Sequence, residues 1–107
     1  MVNRHRGEIE AVLDGRQYRL CLTLGALAEL EDSYGGIDLM RLAERFEGGR
    51  LQASDIIRII GAGLRGAGED IDNETVARMQ IEGGAAGFVR LTASLLKASF
   101  GSGDGGS

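Results

Sequence analysis

The segment at positions 22–35, LTLGALAELEDSYG, limits the possible folds of this 107-residue chain more than any other stretch. It runs from the end of an alternating, strand-like pattern into a stretch rich in leucine, alanine and acidic residues, which is typical of a helix. The hydroxyl of Thr23 can cap the first turn, and Gly35 can supply the left-handed residue that ends the helix. The segment therefore predicts a strand that leads directly into a capped helix. Four residues at helical spacing predict an apolar stripe along it: Leu24, Leu27, Ala28 and Leu30.

A β-hairpin is predicted immediately before this helix. Residues 8–14, EIEAVLD, and residues 16–22, RQYRLCL, both alternate imperfectly between apolar and polar side chains. Asp14 and Gly15 between them form a strong two-residue turn signal. An isolated hairpin is marginal in water, so its apolar face must pack on helices or pair with another sheet edge. That face is predicted to carry Ile9, Ala11 and Leu13 from the first strand and Tyr18, Leu20 and Leu22 from the second.

A second helix is predicted over residues 39–46, LMRLAERF, where the apolar residues keep helical spacing. Asp38 stands before it and can cap its first turn, because a carboxylate oxygen accepts hydrogen bonds from free backbone N–H groups. Gly48 and Gly49 follow it, and glycine is the residue that most often ends a helix.

A third helix is predicted to begin at Ser54, with Asp55 at the positive end of the helix dipole. Its isoleucine-rich sequence leaves few polar positions, so we expect it to be the central buried helix. A fourth, short helix with a polar cap is predicted near Asn73, and Gly83 and Gly84 separate it from the last helix.

The last apolar segment predicts the best amphipathic helix of the chain. Phe88, Leu91 and Leu95 fall on one side, and we expect them to belong to the core. A second apolar strip flanks them and is a candidate surface for a partner helix. The alternative, in which both strips belong to the core, is equally open. The strip that we predict to bind a partner consists of Val89, Leu96 and Phe100.

Together these elements predict an α+β fold that is mainly α, with an N-terminal β-hairpin followed by four or five short helices. At this length there is room for one core only. Aromatic residues make up 5% of the chain, with no Trp, so that core must rest on aliphatic side chains. We expect a flexible N-terminus over residues 1–7, a single globular domain over 8–100, and a disordered Gly/Ser tail over 101–107.

Two segments carry a resemblance to a known family. LTLGALAELEDSYGG at 22–36, followed by DIIRIIGAGLRGAGED at 55–70, resembles the small tail proteins of gene transfer agents and siphophages. The resemblance covers residues 8–100 in order: hairpin, acidic helix, apolar helix, glycine-rich turn and closing helix. That family is described as tail assembly chaperones or, more loosely, as tail tube proteins. The resemblance implies a bacterial cytoplasmic location, or the tail of a virion-like particle, and partnership with the tape measure protein and other tail proteins.

The glycines at 61, 63 and 66 spell GAGLRG, which matches the G-x-G-x-x-G pattern of dinucleotide-binding turns. Such a turn requires an apolar strand before it and a second parallel strand after the following helix. Here a polar stretch follows instead, GEDIDNET, so a nucleotide site is not favoured. The structural alternative is that Gly61 and Gly63 allow another helix to approach closely, while Gly66 and Gly68 end the helix.

Charge and residue inventory exclude several functional classes. A net charge of −4 argues against a nucleic-acid surface, and no apolar run approaches the length of a membrane span. His5 and Cys21 are too few for a zinc site, and the single thiol favours a reducing cytoplasm. Asp70 and Asp72 resemble a calcium loop only faintly and suit a helix cap better. We therefore expect no enzyme activity, no cofactor and no metal.

Three functional hypotheses follow. The first, implied by the resemblance, is a tail assembly chaperone that keeps the tape measure protein soluble while tube subunits polymerise around it. The second is a structural tail tube subunit, and the third is a small ligand-binding domain that uses the GAGLRG turn. The hairpin edge and the closing helix each offer a surface that a second copy of the chain could cover, so a homo-oligomer is compatible with the sequence.

Overall fold

A computed structural model describes residues 7–48 and 50–100 of the chain. A two-stranded antiparallel hairpin is followed by five helices over these residues, which confirms the predicted α+β, mainly α class. The predicted flexible N-terminus, apart from Gly7, and the predicted Gly/Ser tail lie outside the described residues. The elements are β1 Glu8–Leu13, β2 Arg16–Cys21, α1 Leu24–Ser33, α2 Leu39–Glu47, α3 Ala53–Gly66, α4 Asn73–Val76 and α5 Gly84–Phe100.

The hairpin forms with the predicted turn and the predicted inward face. Asp14 and Gly15 have φ angles of 54° and 75°, and a two-residue turn with both φ angles positive matches the twist of the flanking strands. The turn is attached to the segment after α4, because the Asp14 N–H donates to the Gln80 carbonyl at 2.8 Å and the Gln80 N–H donates back to Asp14 Oδ1 at 2.9 Å. The buried residues of this face are Leu13, Tyr18, Leu20 and Leu22, with Ile9 and Ala11 packed partly buried beside them.

Helix α1 begins and ends as predicted. Thr23 Oγ1 accepts a hydrogen bond from the Ala26 N–H at 3.1 Å. Gly35 adopts a φ of 81° after the helix, and the Gly36 N–H donates back to the Glu31 carbonyl at 2.8 Å. This closing bond satisfies a carbonyl that the end of the helix leaves free. Both signals are local in sequence, which is why they could be found without the tertiary structure.

The predicted apolar stripe of α1 is wrong at two of its four residues, Leu24 and Ala28. Leu24 is 79% exposed and Ala28 is exposed, whereas Ala26 and Leu30 are buried and Leu27 is partly buried. The reason is the position of α3, whose last residue Gly66 lies against Ala26. The buried face of α1 is therefore determined by its contact with α3. The spacing of the leucines along α1 does not identify that face.

Helix α3 is the central buried helix, as predicted. It begins at Ala53, one residue before the predicted start, and its buried stretch runs without a break from Ile59 to Leu64. Gln52 is the residue that precedes its first turn, and its N–H donates to Asp55 Oδ2 at 2.9 Å. The helix packs against β2, α1, α4 and α5, which are four of the six other elements.

The GAGLRG sequence does not form the turn that the third hypothesis, a small ligand-binding domain, requires. All six residues lie inside α3, and an added Cβ would meet Asn73 at Gly61, Leu95 at Gly63 and the Cys21 carbonyl oxygen at Gly66. Glycine weakens an isolated helix, but here the missing Cβ atoms allow three neighbours to approach the helix axis. The prediction of close packing at Gly61 and Gly63 is confirmed, and the loop geometry of a dinucleotide site is absent from these residues.

The remaining helices follow their predicted signals with small shifts. Asp38 Oδ1 accepts from the Arg41 N–H at 2.8 Å and caps α2, while the predicted stop at Gly49 lies outside the described residues. Asp72, one residue before the predicted start, caps α4 by accepting from the Thr75 N–H at 2.9 Å. Gly83 has a φ of 92° and precedes α5. Among residues 7–48 and 50–100, no helix combines the length and apolar character that membrane crossing requires.

Candidate functional site

An apolar groove of about 330 Å³ lies between α3, α4 and α5. Its lining contains no charged or polar side chain, so a bound group would be held by burial of apolar surface rather than by ion pairs. Ligand sites in proteins begin near this volume. The lining residues are Ala53, Ile56, Ile57 and Ile60 from α3, Val76 and Ala77 from the end of α4, and Ala85, Phe88 and Val89 from α5.

The spacing of the lining residues explains why the groove forms. Those on α3 recur at i, i+3, i+4 and i+7, and those on α5 at i, i+3 and i+4, so each helix presents one continuous apolar face. Alanines stand at three points of the lining where larger side chains would fill the space between the helices. The groove is therefore the seam between two apolar helix faces that do not close fully on each other.

Arg65 fixes α4, which forms the third wall of the groove. Its guanidinium group donates to the Ile71 carbonyl at 2.7 Å and to Asn73 Oδ1 at 3.0 Å, and it also forms an ion pair with Glu29. A single side chain of α3 thus holds α1, the α3–α4 loop and the first residue of α4. Arginine suits this position because its planar fork donates in several fixed directions.

The predicted partner strip on α5 is divided by the structure. Val89 lines the groove and is 47% exposed, whereas Leu96 and Phe100 do not line it. Leu96 is partly buried against the core, and Phe100 is 36% exposed at the last residue of α5. Of the three strip residues, only Val89 belongs to the groove.

The predicted core side of α5 is also divided. Leu91 and Leu95 are buried in the core as expected, together with Thr92. Phe88 packs against the core but remains half-buried, because its side chain also lines the groove. Sequence reasoning missed the opposite wall, formed by Ile56 and Ile57, since it assigned the whole isoleucine cluster to the core. The only signal was their i, i+3, i+4, i+7 spacing with Ala53 and Ile60.

A polar cluster lies on the other side of α3 and was not predicted beyond the placement of Asp55. Asp55 is 2% exposed, and its carboxylate accepts hydrogen bonds from the Tyr34 hydroxyl and, at 3.4 Å, from Arg45 Nη2. The guanidinium groups of Arg45 and Arg58 lie 4.8 and 4.7 Å from the centroid of the Tyr34 ring. Phe46 meets the same ring edge-on, with 5.8 Å between centroids.

The surroundings of this cluster shift two pKa values in opposite directions. Burial acts to raise the pKa of Asp55, but the hydrogen bonds from Tyr34 and the Gln52 N–H and the charge of Arg45 outweigh it and lower that pKa. Burial and the hydrogen bond to Asp55 raise the pKa of the Tyr34 hydroxyl. Asp55 is therefore held as a carboxylate and Tyr34 as a neutral phenol, so the cluster joins elements and is not poised for proton transfer.

The other candidate groups do not assemble into a reactive site. The thiol of Cys21 is half-buried, and burial together with the charge of Glu8 raises its pKa, which makes it a poor nucleophile. In the part of the chain that the structure describes, no three His, Cys, Asp or Glu side chains come together as a metal site. Asp72 is occupied in capping α4.

Comparison with known proteins now decides the family. The model of a family described as "Phage tail tube protein, GTA-gp10" matches residues 6–102, which is nearly the whole chain. The chain belongs to this family. No curated protein and no solved structure matches it closely enough to add to this finding. The resemblance seen in the two sequence segments is thereby confirmed.

Membership in this family makes the chain a phage-like tail protein of the gene transfer agent type. Other tail proteins are therefore the class of partner that its surface should fit. The strongest candidate for such a contact is the groove, because it leaves Val89 nearly half exposed on an apolar wall. Exposed apolar surface of this kind commonly marks a protein interface.

Proposed function

We propose that this tail protein acts as a tail assembly chaperone, and that it binds an amphipathic helix of the tape measure protein during tail morphogenesis. The observation that supports this role best is the groove between α3, α4 and α5. Its walls are entirely apolar, and two of them are stripes of side chains at helical spacing. An amphipathic helix can lay its apolar face into such a groove with residues at i, i+3, i+4 and i+7 as anchors.

The proposed mechanism requires only reversible binding and no catalytic step. A tape measure protein with long amphipathic helices exposes apolar surface until tube subunits enclose it, and that surface favours aggregation. Covering one such stripe by an apolar groove lowers the concentration of the exposed form by mass action. The net charge of −4 on the chaperone helps to keep the complex soluble. The protein then acts in the bacterial cytoplasm, before the tail is complete.

Co-expression with the tape measure protein tests this role. We expect a complex that co-elutes on size-exclusion chromatography with light scattering, and we expect Val89→Asp to abolish it, because the bound helix would cover a charged carboxylate in an apolar wall. Val12→Asp is the matched control, since Val12 is 55% exposed on the hairpin and does not line the groove. A complex that survives Val89→Asp but is lost with Val12→Asp would overturn the assignment of the groove.

Leu96 and Phe100 belong to the proposed contact as its extension along α5. Phe100 is exposed at the end of the helix, so Phe100→Ser should weaken the complex with little effect on unfolding. Leu96 packs against the core, so Leu96→Asp should also lower stability. If Phe100→Ser leaves the affinity unchanged, the partner helix ends within the groove.

The second candidate is a structural tail tube subunit, which the printed description of the family favours. Tube proteins generally build rings from extended sheets, whereas residues 7–48 and 50–100 contain one two-stranded sheet. A tube role would therefore require self-association, with strands joined between copies at their edges. Counting the protein in purified particles separates the roles: many copies per tail would establish the tube subunit, and absence from particles with a soluble complex would establish the chaperone.

A further inference from the structure

The two long walls of the groove, α3 and α5, carry cations and no exposed acid. Helix α5 has two charged residues, Arg90 and Lys97, and both are exposed. None of the ion pairs formed between described residues includes either of them. The one acid of α3 is Asp55, which is buried in the polar cluster. Because the whole chain has a net charge of −4, these walls have the opposite bias to the rest of the molecule.

Arg90 and Lys97 stand beside the partner strip of α5. Each directly follows a strip residue, Val89 or Leu96, so both lie about 100° around the helix from the strip. They are seven residues apart, which places them on one flank at a separation of about 10.5 Å along the axis. The other flank of the strip belongs to the core, where Thr92 is fully buried. A partner helix that lies along the strip therefore meets one open flank of α5, and that flank is basic.

The acids of the neighbouring elements are engaged with other groups. Glu8 of β1, the strand that packs against α5, pairs with Arg19 at 3.6 Å. On α4, the third wall of the groove, Glu74 pairs with Arg78 at 3.7 Å, and Asp72 caps the helix. These pairs leave the positive charge on the flank of α5 for a bound partner.

Two further acids lie near α5 in the sequence or in the fold. Glu10 of β1 accepts a hydrogen bond from Gln17 at 2.8 Å on the hairpin. The carbonyl oxygen of Glu82, just before α5, lies where a side chain on Gly87 would stand. Gly87 is on the buried side of α5, nearly opposite the partner strip, so the Glu82 backbone is not on the basic flank.

We infer that the groove and the partner strip bind an acidic amphipathic helix, with carboxylates at seven-residue spacing on the flank that faces Arg90 and Lys97. This inference rests on the proposed function, since it names the chemistry of the helix that the groove receives. The apolar walls supply the burial, and the two cations select the helix and fix its rotation about its own axis. Complementary charges at an interface contribute in this way to specificity and to the rate of association.

Two model peptides test the charge preference on the full chain. Both carry the same apolar stripe at i, i+3, i+4 and i+7, and they differ in having Glu or Lys at two flanking positions seven residues apart. We expect the Glu peptide to bind about tenfold more tightly at low salt, because it gains two ion pairs where the Lys peptide meets two like charges. The difference should shrink as salt reduces the Debye length from about 10 Å at 0.1 M to about 3 Å at 1 M. The net charge of the chain alone predicts the reverse preference.

A pair of double variants separates the basic flank from the net charge. Arg90→Glu with Lys97→Glu should reverse the preference, so that the Lys peptide binds more tightly. Arg16→Glu with Arg41→Glu makes the same change in net charge at exposed positions of β2 and α2, and it should keep the preference for the Glu peptide. Equal binding of both peptides to the unaltered chain at low salt would overturn this inference and leave the groove as a helix site. Failure of both peptides to bind would overturn the groove as a helix site, and this inference with it.

Discussion

At the residue scale, the glycines of α3 show that a missing side chain can be the feature that the fold requires. A Cβ on Gly66 would overlap the carbonyl oxygen of Cys21 and lie 3.2 Å from the Cβ of Ala26. The carbonyl belongs to the backbone of β2, so it cannot rotate away as the end of a flexible side chain can. Gly66 therefore allows the close approach of α3 to the hairpin, together with Gly63, which lies against Leu20 of β2.

We predict that Gly66→Ala lowers the free energy of unfolding by about 1–3 kcal/mol, the usual cost of overpacking a core. Gly25→Ala is the matched control, because Gly25 is also helical but its nearest neighbour would lie 3.9 Å from the new Cβ. There alanine should stabilise the protein by up to about 1 kcal/mol through its higher helix propensity. Urea unfolding of both variants measures the two changes in the free energy of unfolding. Equal changes would mean that helix propensity alone determines the effect of alanine at these sites.

The residues whose structural roles could be predicted from the sequence are those whose interaction partners lie within a few positions along the chain. Thr23 and Asp38 each accept from an N–H three residues later, and Asp14 and Gly15 form their turn with adjacent strands. Asp55 shows the limit of this reasoning. Its position at the start of a helix was predictable, but its burial beside Tyr34, 21 residues away, depends on how α1 and α2 meet α3.

At the scale of elements, the Asp55 carboxylate makes the junction of α1, α2 and α3 sensitive to acid. Its folded pKa lies below the ordinary value of 3.8, so the native state favours the charged form. The stability that this carboxylate contributes is fully present above the unfolded pKa and is lost as the pH falls through the folded pKa. The loss therefore occurs below about pH 3.8.

We predict that Asp55→Asn lowers the free energy of unfolding at neutral pH by about 1–3 kcal/mol, because it disrupts a buried network of hydrogen bonds. It should also flatten the acid dependence of stability below about pH 3.8. Asp72→Asn is the comparison, since Asp72 caps α4 far from this junction and its pKa is also lowered, first by its hydrogen bond with Thr75. Unfolding followed across the acid range would contradict the prediction if Asp55→Asn retained the full acid loss.

The faces of the helices were harder to predict than their ends. Capping residues located α1 within a residue, yet its buried side proved to be Ala26 and Leu30 rather than the leucine stripe. The face depends on which neighbour approaches, and α3 approaches with glycine, which favours a small residue opposite. The spacing of apolar residues identifies the buried side of a helix only when one side carries clearly more apolar residues than the other.

At the scale of the whole molecule, the groove exists because α3 and α5 each carry more apolar surface than one core can bury. The sequence indicated the surplus on α5, and Val89 of the predicted strip does line the groove. It did not indicate the surplus on α3, since Ile56 and Ile57 resemble their buried neighbours Ile59 and Ile60. The groove also depends on the placement of α4, which is held by Arg65 and whose end forms the third wall.

A groove that binds a helix must also stabilise the folded state, because the ligand binds only the native protein. We predict that an amphipathic tape measure peptide at a hundred times its Kd stabilises the fold by about 2.7 kcal/mol. Each kcal/mol should raise the Tm by about 4–8 °C for a domain of this size.

A peptide of the same composition with its i, i+3, i+4, i+7 pattern broken is the control, because it cannot present a continuous apolar stripe to the two walls. Val89→Asp should remove the shift while Val12→Asp retains it, since only the first residue lines the groove. Equal shifts in Tm with both peptides would mean that binding is nonspecific and that the groove does not recognise the apolar face of a helix.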